Sequence, residues 1–357
     1  MTGDRDAQGA PCLLGVCDIS ARHDLDPRRA TNVRLLVTGG AGYIGSIVAN
    51  QLLAAGHEVV VFDNLDRGHR AAVPERARLV VGDLLDHDRV NRALKEGFEG
   101  VLHFAALALV GESVAHPERY YRTNVCATLN LLEAIRGSGV ERLVFSSTAA
   151  VYGQPEAVPI PETAPTKPTN PYGASKLAVD SMIADFCAAH GLGAVSLRYF
   201  NVAGASDGLG EDHHPETHLI PNILRAASGH SPCVEIYGTD YPTPDGTAIR
   251  DYIHIEDLAA AHLLALEGTP PGEHEVFNLG NGSGFSVKEV ITAARTVTGA
   301  EIPTREAARR AGDPPMLVAA SDKIRAELGW KPQKPQLEQI VADAWSFAGA
   351  RPCGYSE

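Results

Sequence analysis

The sequence contains no long apolar run: nowhere do about 18 apolar residues follow one another, so a membrane-spanning helix is not expected. Its six cysteines are scattered, and none belongs to a Cys-x-x-Cys pair. A disulfide framework or a zinc site of paired cysteines is therefore not expected, and a reducing, cytoplasmic location is predicted. The start of the chain also lacks the basic and apolar stretches of a secretory signal.

Basic residues are fewer than acidic residues. The chain has 31 Lys and Arg against 44 Asp and Glu, which gives a formal net charge of −13. Such a surface repels phosphate backbones, so nucleic acid is not an expected partner. The 44% of hydrophobic and 21% of charged residues are typical of a folded globular protein, and 357 residues suit two domains.

The order of apolar runs predicts an α/β fold. Residues 1–31 are rich in Asp, Arg, Gly and Pro and are interpreted as an irregular N-terminal extension, or alternatively as a partner-binding arm. Short apolar runs of the kind found in buried parallel strands then alternate with helical spacing. The runs lie at 33–37, 58–63, 78–81, 100–104 and 142–146, and the helical patterns at 44–53, 124–136 and 176–189. Alternation of this kind indicates a doubly wound parallel sheet of the Rossmann type.

After Phe200 the alternation weakens, and Pro, Gly and turn residues become frequent. We therefore predict a Rossmann domain over 32–201, with a return segment near 252–278, and a smaller mixed α/β domain for substrate over 202–350.

A glycine-rich turn follows the first predicted strand. Gly39, Gly42 and Gly45 open the first predicted helix, where glycines permit a sharp turn, a close approach of the backbone to a pyrophosphate, and helix–strand packing. Asp63 ends the next strand and suits the two hydroxyls of an adenine ribose, which favours NAD over NADP. Arg67 nearby points weakly the other way, and Asp83 is placed to meet the adenine amine.

A tyrosine and a lysine share one predicted helix face. Tyr172 and Lys176 are four residues apart, and Pro171 suits the start of their helix. A phenol of pKa about 10 becomes a useful base only near positive charge, which an ammonium and a nicotinamide cation would supply. Thr148 adds a hydroxyl at the end of a strand, where ligands of open α/β sheets bind.

With these residues the chain resembles the extended short-chain dehydrogenase/reductase superfamily, and within it the family of UDP-glucose 4-epimerases. The resemblance runs from about Val33 to Trp330. Beyond the glycine turn it rests on the segments 103–106 (HFAA), 110–114 (VGESV), 146–153 (SSTAAVYG), 171–176 (PYGASK), 197–201 (LRYFN) and 250–254 (RDYIH).

The resemblance implies an isomerase that interconverts UDP-glucose and UDP-galactose with NAD as a tightly bound cofactor. Tyr172 would take the proton of the sugar 4-hydroxyl, Thr148 would hydrogen-bond the 4-oxygen, and Lys176 would bind the nicotinamide ribose and lower the pKa of Tyr172. NAD would accept the C4 hydride and return it to the other face of a 4-keto sugar.

The resemblance also implies two sets of ligand-binding residues. The NAD site would consist of Gly39, Gly42, Tyr43, Ile44, Gly45, Asp63, Asn64, Asp83, Leu84, Phe104, Ala105, Ala106, Asn124, Tyr172, Lys176 and Phe200. The UDP-sugar site would consist of Thr148, Asn201, His218, Leu219, Tyr237, Arg250, Arg310 and Asp313, with the guanidinium groups on the diphosphate and Tyr237 on the uracil.

Three positions depart from the pattern of the family. Leu107 and Ala108 stand where many relatives carry a lysine near the nicotinamide ribose, and His218 stands where relatives often have Asn. Leu317 is intermediate in size at a position linked to the acceptance of N-acetylated sugars. A 4-epimerase of a UDP-N-acetylhexosamine, UDP-pentose or UDP-uronate therefore stays an alternative.

The sequence disfavours two other functions, a dehydratase and a non-catalytic NAD-binding protein. A sugar-nucleotide 4,6-dehydratase needs an added acid and base after the Ser/Thr, but Ala149 and Ala150 occupy those positions. A non-catalytic NAD-binding regulatory protein would not need Tyr172 and Lys176, and both are present.

Metal and oligomer predictions complete the interpretation. His213, His214 and His218 are interpreted as ordinary loop histidines because Pro215 interrupts any helix, so no metal site is predicted. The resemblance implies a homodimer that pairs through the helical segments 120–136 and 175–189.

Overall fold

The glycine-bounded apolar runs form the strands of a parallel sheet. The computed structural model describes residues 32–310 and 312–355, so the predictions for residues 1–31 lie outside the described residues. In chain order the first strands are β1 (Arg34–Thr38), β2 (Glu58–Asp63), β3 (Arg78–Val81), β4 (Gly100–His103), β5 (Arg142–Thr148) and β6 (Gly193–Tyr199). The helices between them are α1 (Tyr43–Ala54), α2 (His87–Leu94), α3 (Val110–Ala115), α4 (Pro117–Tyr120), α5 (Ala127–Arg136) and α6 (Pro171–His190).

The second half of the chain is built from shorter elements. Its strands are β7 (Asn201–Ala203), β8 (Ala205–Ser206), β9 (Leu209–Gly210), β10 (Val234–Tyr237), β11 (Ile249–Arg250), β12 (Tyr252–His254), β13 (His274–Leu279), β14 (Phe285–Ser286), β15 (Thr304–Ala307) and β16 (Met316–Leu317). Its helices are α7 (Leu219–Ala227), α8 (Ile255–Glu267), α9 (Val287–Thr298), α10 (Asp322–Leu328) and α11 (Leu337–Ala350).

The main sheet has seven parallel strands in the order β13-β6-β5-β4-β1-β2-β3. Alternate residues of each strand point to opposite faces, so each face carries its own apolar core. Leu35 and Val37 of β1 belong to the core that includes α1 and α8, whereas Leu36 belongs to the core that includes α2, α5 and α6. The predicted Rossmann-type sheet with helices on both faces is confirmed.

Most predicted strand and helix boundaries agree with the structure to within a few residues. Strands β2 and β3 have the predicted bounds, and β5 extends two residues further, to Thr148. Helix α6 begins at Pro171, because the Asn170 side chain accepts a hydrogen bond from the backbone N–H of Gly173 at 2.9 Å. The pattern at 124–136 begins as a π-helical turn over Tyr121–Cys126 before α5. Strand β6 was not predicted.

The second half of the chain returns to one edge of the main sheet. Helix α8 packs against α1, and β13 pairs with β6 in parallel from His274 to Leu279. The remaining elements form a separate apolar core and the small sheets β10-β15 and β14-β11-β16. Because the described residues form one compact unit, the division at residue 201 stays a prediction.

No helix in the described ranges combines the length and apolar character needed to cross a membrane.

Candidate functional site

The carboxyl ends of the parallel strands open into one cleft of about 2070 Å³. Ligands of open α/β sheets bind at this edge. The cleft begins at the glycine turn after β1 and continues into the second half of the chain. Among the residues predicted to bind the cofactor, it is lined by Gly39, Gly42, Tyr43, Ile44, Gly45, Asp63, Asn64, Asp83, Phe104, Ala105, Ala106, Tyr172, Lys176 and Phe200. All eight predicted substrate residues also line it: Thr148, Asn201, His218, Leu219, Tyr237, Arg250, Arg310 and Asp313.

Two predicted cofactor residues lie behind the wall of this cleft. Leu84 is buried in the apolar core under α2. The Asn124 side-chain amide accepts a hydrogen bond from the backbone N–H of Leu107 at 2.9 Å and donates to the backbone carbonyl of Leu107 at 3.0 Å. It also donates to Ser175 Oγ at 3.0 Å. The structure therefore gives Asn124 a supporting contact with α6, and a direct ligand contact of either residue stays a prediction.

The three glycines of the turn meet different constraints. Gly39 has φ +72°, and a Cβ there would lie 2.4 Å from the backbone nitrogen of Ala105. A Cβ at Gly45 would lie 2.3 Å from the carbonyl oxygen of Gly39. At Gly42 the nearest atom would be 3.4 Å away, an ordinary contact. Folding therefore requires Gly39 and Gly45, whereas the protein itself leaves room for a side chain at Gly42.

Asp63 is a structural acceptor as well as a predicted ligand residue. Its carboxylate accepts hydrogen bonds from the backbone N–H of Ala41 at 3.0 Å and of Leu65 at 2.8 Å. Burial raises the pKa of Asp63, and these two hydrogen bonds together with His69 act in the opposite direction. The carboxylate thus ties the end of β2 to the glycine turn.

The Arg67 guanidinium has partners other than Asp63. It donates to the backbone carbonyl of His214 at 2.7 Å and to Glu112 at 3.1 Å. Glu112 also accepts from Arg119 at 2.7 Å and from the Tyr120 hydroxyl at 3.0 Å. Sequence reasoning missed this charged group at the cleft, since only the fold brings its members together.

Tyr172 is positioned by the start of α6. A Cβ at the neighbouring Gly173 would lie 2.5 Å from the carbonyl oxygen of Ala150, so a glycine lets α6 press against the short helix Ala149–Tyr152. The Thr148 side chain interacts with the Tyr172 phenol and acts to lower its pKa. Thr148, the first residue before that short helix, also accepts from the backbone N–H of Ala150 at 3.2 Å. The predicted threonine–tyrosine pair is therefore assembled at the end of β5.

Burial raises the pKa of Tyr172, and the nearby Thr148 side chain opposes that shift. In the protein alone the phenol thus holds its proton firmly. Base action requires additional positive charge beside the phenol.

Lys176 does not supply that charge by itself. Its ammonium donates to the backbone carbonyl of Ser146 at 2.8 Å and lies 4.7 Å from the centre of the Phe145 ring. Burial lowers the pKa of Lys176 to about 7, although Asp180 pulls in the other direction. The groups that shift the pKa of Tyr172 do not include Lys176, so the predicted lowering by this lysine is not seen in the protein alone.

A buried polar network lies under this site. Arg198 on β6 pairs with Asp180 on α6 at 2.9 Å and donates to the Tyr152 hydroxyl at 3.1 Å. The Tyr152 hydroxyl donates to Asn278 on β13 at 2.8 Å. Sequence reasoning missed this network, which joins β6, α6, β13 and the short helix Ala149–Tyr152.

The far end of the cleft carries the predicted arginines. Arg250 donates to Asp313 at 2.9 Å and to the backbone carbonyl of Ile249 at 2.8 Å. The Arg310 guanidinium lies 4.2 Å from the centre of the Tyr237 ring, a cation–π contact that covers one face of the ring. The opposite face of Tyr237 is the one left for a base to stack on.

His218 lies in the loop between β9 and α7, beside two carboxylates. Its Nδ1 is 2.7 Å from Glu211 and 3.1 Å from Glu216. Burial acts to lower the pKa of His218, but the two carboxylates raise it to about 10. Burial acts to raise the pKa of Glu211, but His218 and His213 lower it to about 2. Glu211 and Glu216 were missed by the sequence interpretation, although the spacing Glu-x-His-x-x-Glu-x-His is visible there.

Comparison with known proteins places the chain in a family. The model of the NAD dependent epimerase/dehydratase family matches residues 35–280. The UDP-glucose 4-epimerases of Corynebacterium glutamicum and Streptomyces lividans are each 56% identical to this chain, over 319 and 326 residues. These alignments cover 89% and 91% of this chain, and 96% and 98% of the relatives.

The chain belongs to the UDP-glucose 4-epimerase family. A crystal structure of this family agrees in three dimensions: UDP-glucose 4-epimerase from Brucella ovis in complex with NAD superimposes with a TM-score of 0.85 at 45% identity. The match covers 89% of this chain and 98% of that one.

The glycine turn fits the NAD on which the epimerase family depends. Helix α1 begins directly after Gly42, with no side-chain cap and no acidic residue in its first turn. Its free N–H groups and the positive end of its dipole are therefore available to an anionic pyrophosphate. The room at Gly42 gives that anion a close approach to the backbone.

The family departures found in the sequence also line the cleft. Leu107, Ala108 and Leu317 face it, as do Ala149 and Ala150, whose methyl groups offer no acid or base.

Proposed function

We propose that this chain interconverts UDP-glucose and UDP-galactose through a 4-keto sugar. The observation that carries the proposal is the position of Thr148 and Tyr172 in the middle of one continuous cleft, between the glycine turn and the arginine-bearing end. At about 2070 Å³ the cleft exceeds the roughly 300–1,000 Å³ of a site for one small molecule. It has room for a dinucleotide and a nucleotide sugar together.

Tyr172 moves the proton of the sugar 4-hydroxyl, and Thr148 orients the reacting oxygen. Bound NAD supplies the acceptor and donor of the C4 hydride. Because burial raises the pKa of Tyr172, the phenol releases its proton only when cationic charge lies beside it. The raised pKa also favours return of the proton to the alkoxide when the 4-keto sugar is reduced.

Arg250 and Arg310 bind the diphosphate of the substrate. A guanidinium fork matches the oxygens of a diphosphate, and both side chains line the cleft. The contact of Arg250 with Asp313 holds its fork in place. Tyr237 and Asn201 line the same end and bind the uridine and the sugar.

The alternative is a 4-epimerase of another UDP-sugar. Leu317 on β16 pairs with Arg250 on β11 and lines the cleft. Because this side chain is intermediate in size, UDP-N-acetylhexosamine, UDP-pentose and UDP-uronate are the alternative substrates.

A homodimer and a cytoplasmic location complete the proposal. Tyr121 and Leu129, on the helical segment predicted to pair, are large apolar side chains that are exposed in the single chain. Exposed apolar side chains on one helical segment suit a two-fold contact. Light scattering during gel filtration is expected to give the mass of two chains.

Product identity tests the activity. The purified protein is incubated separately with UDP-galactose, UDP-N-acetylgalactosamine and UDP-arabinose, and the products are separated by chromatography. We expect UDP-glucose from UDP-galactose without added NAD, because the cofactor is retained from purification. No turnover of UDP-galactose, or a dehydrated product, would contradict the proposal.

A further inference from the structure

The loop between β9 and α7 brings four metal-ligating side chains together. Glu211, His213, Glu216 and His218 offer one donor atom each, and these atoms all lie within 4.8 Å of one another. Of the four, the proposed reaction uses only His218, as a predicted substrate contact.

The nitrogen–oxygen distances match a tetrahedral ligand shell. His213 Nδ1 lies 3.1 Å from Glu211 and 3.9 Å from Glu216, and His218 Nδ1 lies 2.7 Å and 3.1 Å from the same two carboxylates. Ligand atoms about 2.0 Å from a tetrahedral Zn²⁺ are about 3.3 Å apart. The four distances lie on both sides of that value. The two distances to Glu216 involve different oxygens, so this carboxylate must turn to offer one oxygen to a shared cation.

One donor atom is enclosed without a hydrogen bond. His218 Nδ1 is buried, and although two carboxylates lie close by, its geometry satisfies no hydrogen bond within the described residues. An N–H at this atom is therefore not aimed at either carboxylate oxygen. A lone pair at the same atom is well placed for a cation shared with the carboxylates.

Charge and burial point to a divalent cation. The Glu211 and Glu216 side chains are only 9% and 5% exposed, and two buried carboxylates need compensation. Glu216 accepts hydrogen bonds from the backbone N–H groups of Thr217 and His218 at 2.7 Å, but these neutral donors do not cancel its charge. With both imidazoles neutral the four groups carry a charge of −2, which one divalent cation balances.

The loop is held in place independently of these four side chains. The backbone carbonyls of Asp212 and His214 contact His69 at 3.1 Å and Arg67 at 2.7 Å. The Asp212 carboxylate accepts from the backbone N–H of Tyr355 at 2.8 Å. A loop held in this way loses little conformational entropy when its side chains bind a cation.

We propose that Glu211, His213, Glu216 and His218 bind one divalent transition-metal cation, with Zn²⁺ as the best match. Two imidazoles and two carboxylates in a tetrahedral arrangement are ligands that Zn²⁺ prefers, whereas Mg²⁺ and Ca²⁺ prefer oxygen atoms alone. The site departs from the sequence-based expectation of ordinary loop histidines. Its cation would fix the entry to α7 beside the substrate end of the cleft.

Metal binding is measured directly on the tag-free, chelator-treated holoenzyme. Zn²⁺ is titrated by calorimetry, and Co²⁺ is added as a spectroscopic probe, because tetrahedral Co²⁺ absorbs visible light far more strongly than octahedral Co²⁺. The variants are Glu211→Gln and His213→Ala. The matched control is His214→Ala, because His214 lies in the same loop but its side chain is 75% exposed and faces Asp212.

We expect one Zn²⁺ per chain and a tetrahedral Co²⁺ spectrum for the unmodified protein and for His214→Ala. Glu211→Gln and His213→Ala should bind Zn²⁺ at least about tenfold more weakly, since loss even of a group that supports a ligand costs that much. Melting curves and NAD content establish that each variant is folded.

Equal Zn²⁺ affinity in all four proteins would overturn the proposal. An octahedral Co²⁺ spectrum, with no tetrahedral component, would also overturn it. If both variants fail to fold, the spectrum of the unmodified protein decides alone. None of these measurements depends on epimerisation, so the metal site and the proposed function can fail separately.

Discussion

The two ends of the cleft are built in different ways. At the cofactor end, Gly39, Gly42, Gly45 and Asp63 lie within 25 residues of sequence and are joined by backbone hydrogen bonds. At the substrate end, Asn201, His218, Arg250 and Arg310 are spread over 110 residues and meet only through tertiary contacts. A local turn can therefore be recognised from spacing, whereas the substrate end depends on how distant segments pack.

The two ends also obtain positive potential differently. The cofactor end uses the uncapped N-terminus of α1, which requires no charged side chain. The substrate end uses guanidinium groups, of which Arg250 is held by Asp313 and Arg310 by the ring of Tyr237. Substitutions at the first end should affect retention of NAD, and substitutions at the second should affect binding of the nucleotide sugar.

The largest expected effect lies at the junction of the two ends. Tyr172→Phe keeps the ring that packs edge-on against Tyr120 but removes the hydroxyl. We expect kcat to fall by about 10²–10⁴-fold, the usual contribution of a general acid or base, while bound NAD stays unchanged. The measurement is the initial rate of UDP-galactose conversion, with NAD quantified after denaturation.

A matched control for this change is Tyr241→Phe, because the Tyr241 hydroxyl has no hydrogen-bond partner among the described residues and Tyr241 does not line the cleft. Full activity of Tyr172→Phe would rule out the proton transfer assigned to its phenol.

The second prediction tests whether the two ends of the cleft bind different ligands. Gly42→Ala leaves the fold intact because its Cβ makes only an ordinary contact of 3.4 Å, but the methyl group occupies the path of the pyrophosphate. We expect NAD affinity to fall at least about tenfold, or 1.4 kcal/mol. Arg250→Ala is the contrasting variant: it should retain NAD and raise KM for UDP-galactose, since it removes a binding contact.

NAD content after gel filtration and KM are measured for both proteins. If Gly42→Ala retained NAD fully, or if Arg250→Ala lost it, the division of tasks between the two ends would be wrong.

The smallest expected effect is on pH dependence. His103 is buried under the cofactor end, where it contacts the hydroxyls of Thr38 at 2.6 Å and Thr128 at 2.8 Å. Burial, with a contribution from Lys176, lowers the pKa of His103 from 6.5 to about 3. Below pH 6.5 the unfolded chain therefore binds a proton that the folded chain excludes, so stability falls with pH over the range from 6.5 to about 3.

Between pH 6.5 and 5 this histidine alone contributes a loss of about 2 kcal/mol, which lowers Tm by roughly 3 °C in a chain of 357 residues. His103→Gln, which stays neutral, should show a smaller decrease in Tm over the same range. Parallel Tm–pH curves for the unmodified protein and His103→Gln would contradict the assignment to His103.

Sequence patterns predicted the parallel sheet because buried strands need continuous apolar runs, and the bounds of β2 and β3 follow from those runs. Strand β6 was missed although all of its residues are buried, because it follows α6 after a break of only two residues and contains Arg198. That charge is tolerated only because Asp180 and Tyr152 meet it in the folded chain.

The sequence by itself determined the cofactor end, because a turn, a helix start and the acid that ends the next strand are short-range features whose chemistry is visible in their spacing. Tertiary structure alone decided which side chains share the substrate end and how they are protonated. The pairing of β11 with β16 brings Arg250 to Asp313, and burial sets the pKa values of Tyr172 and Lys176. Proximity across long loops and removal from water are properties of the packed chain, so no local pattern encodes them.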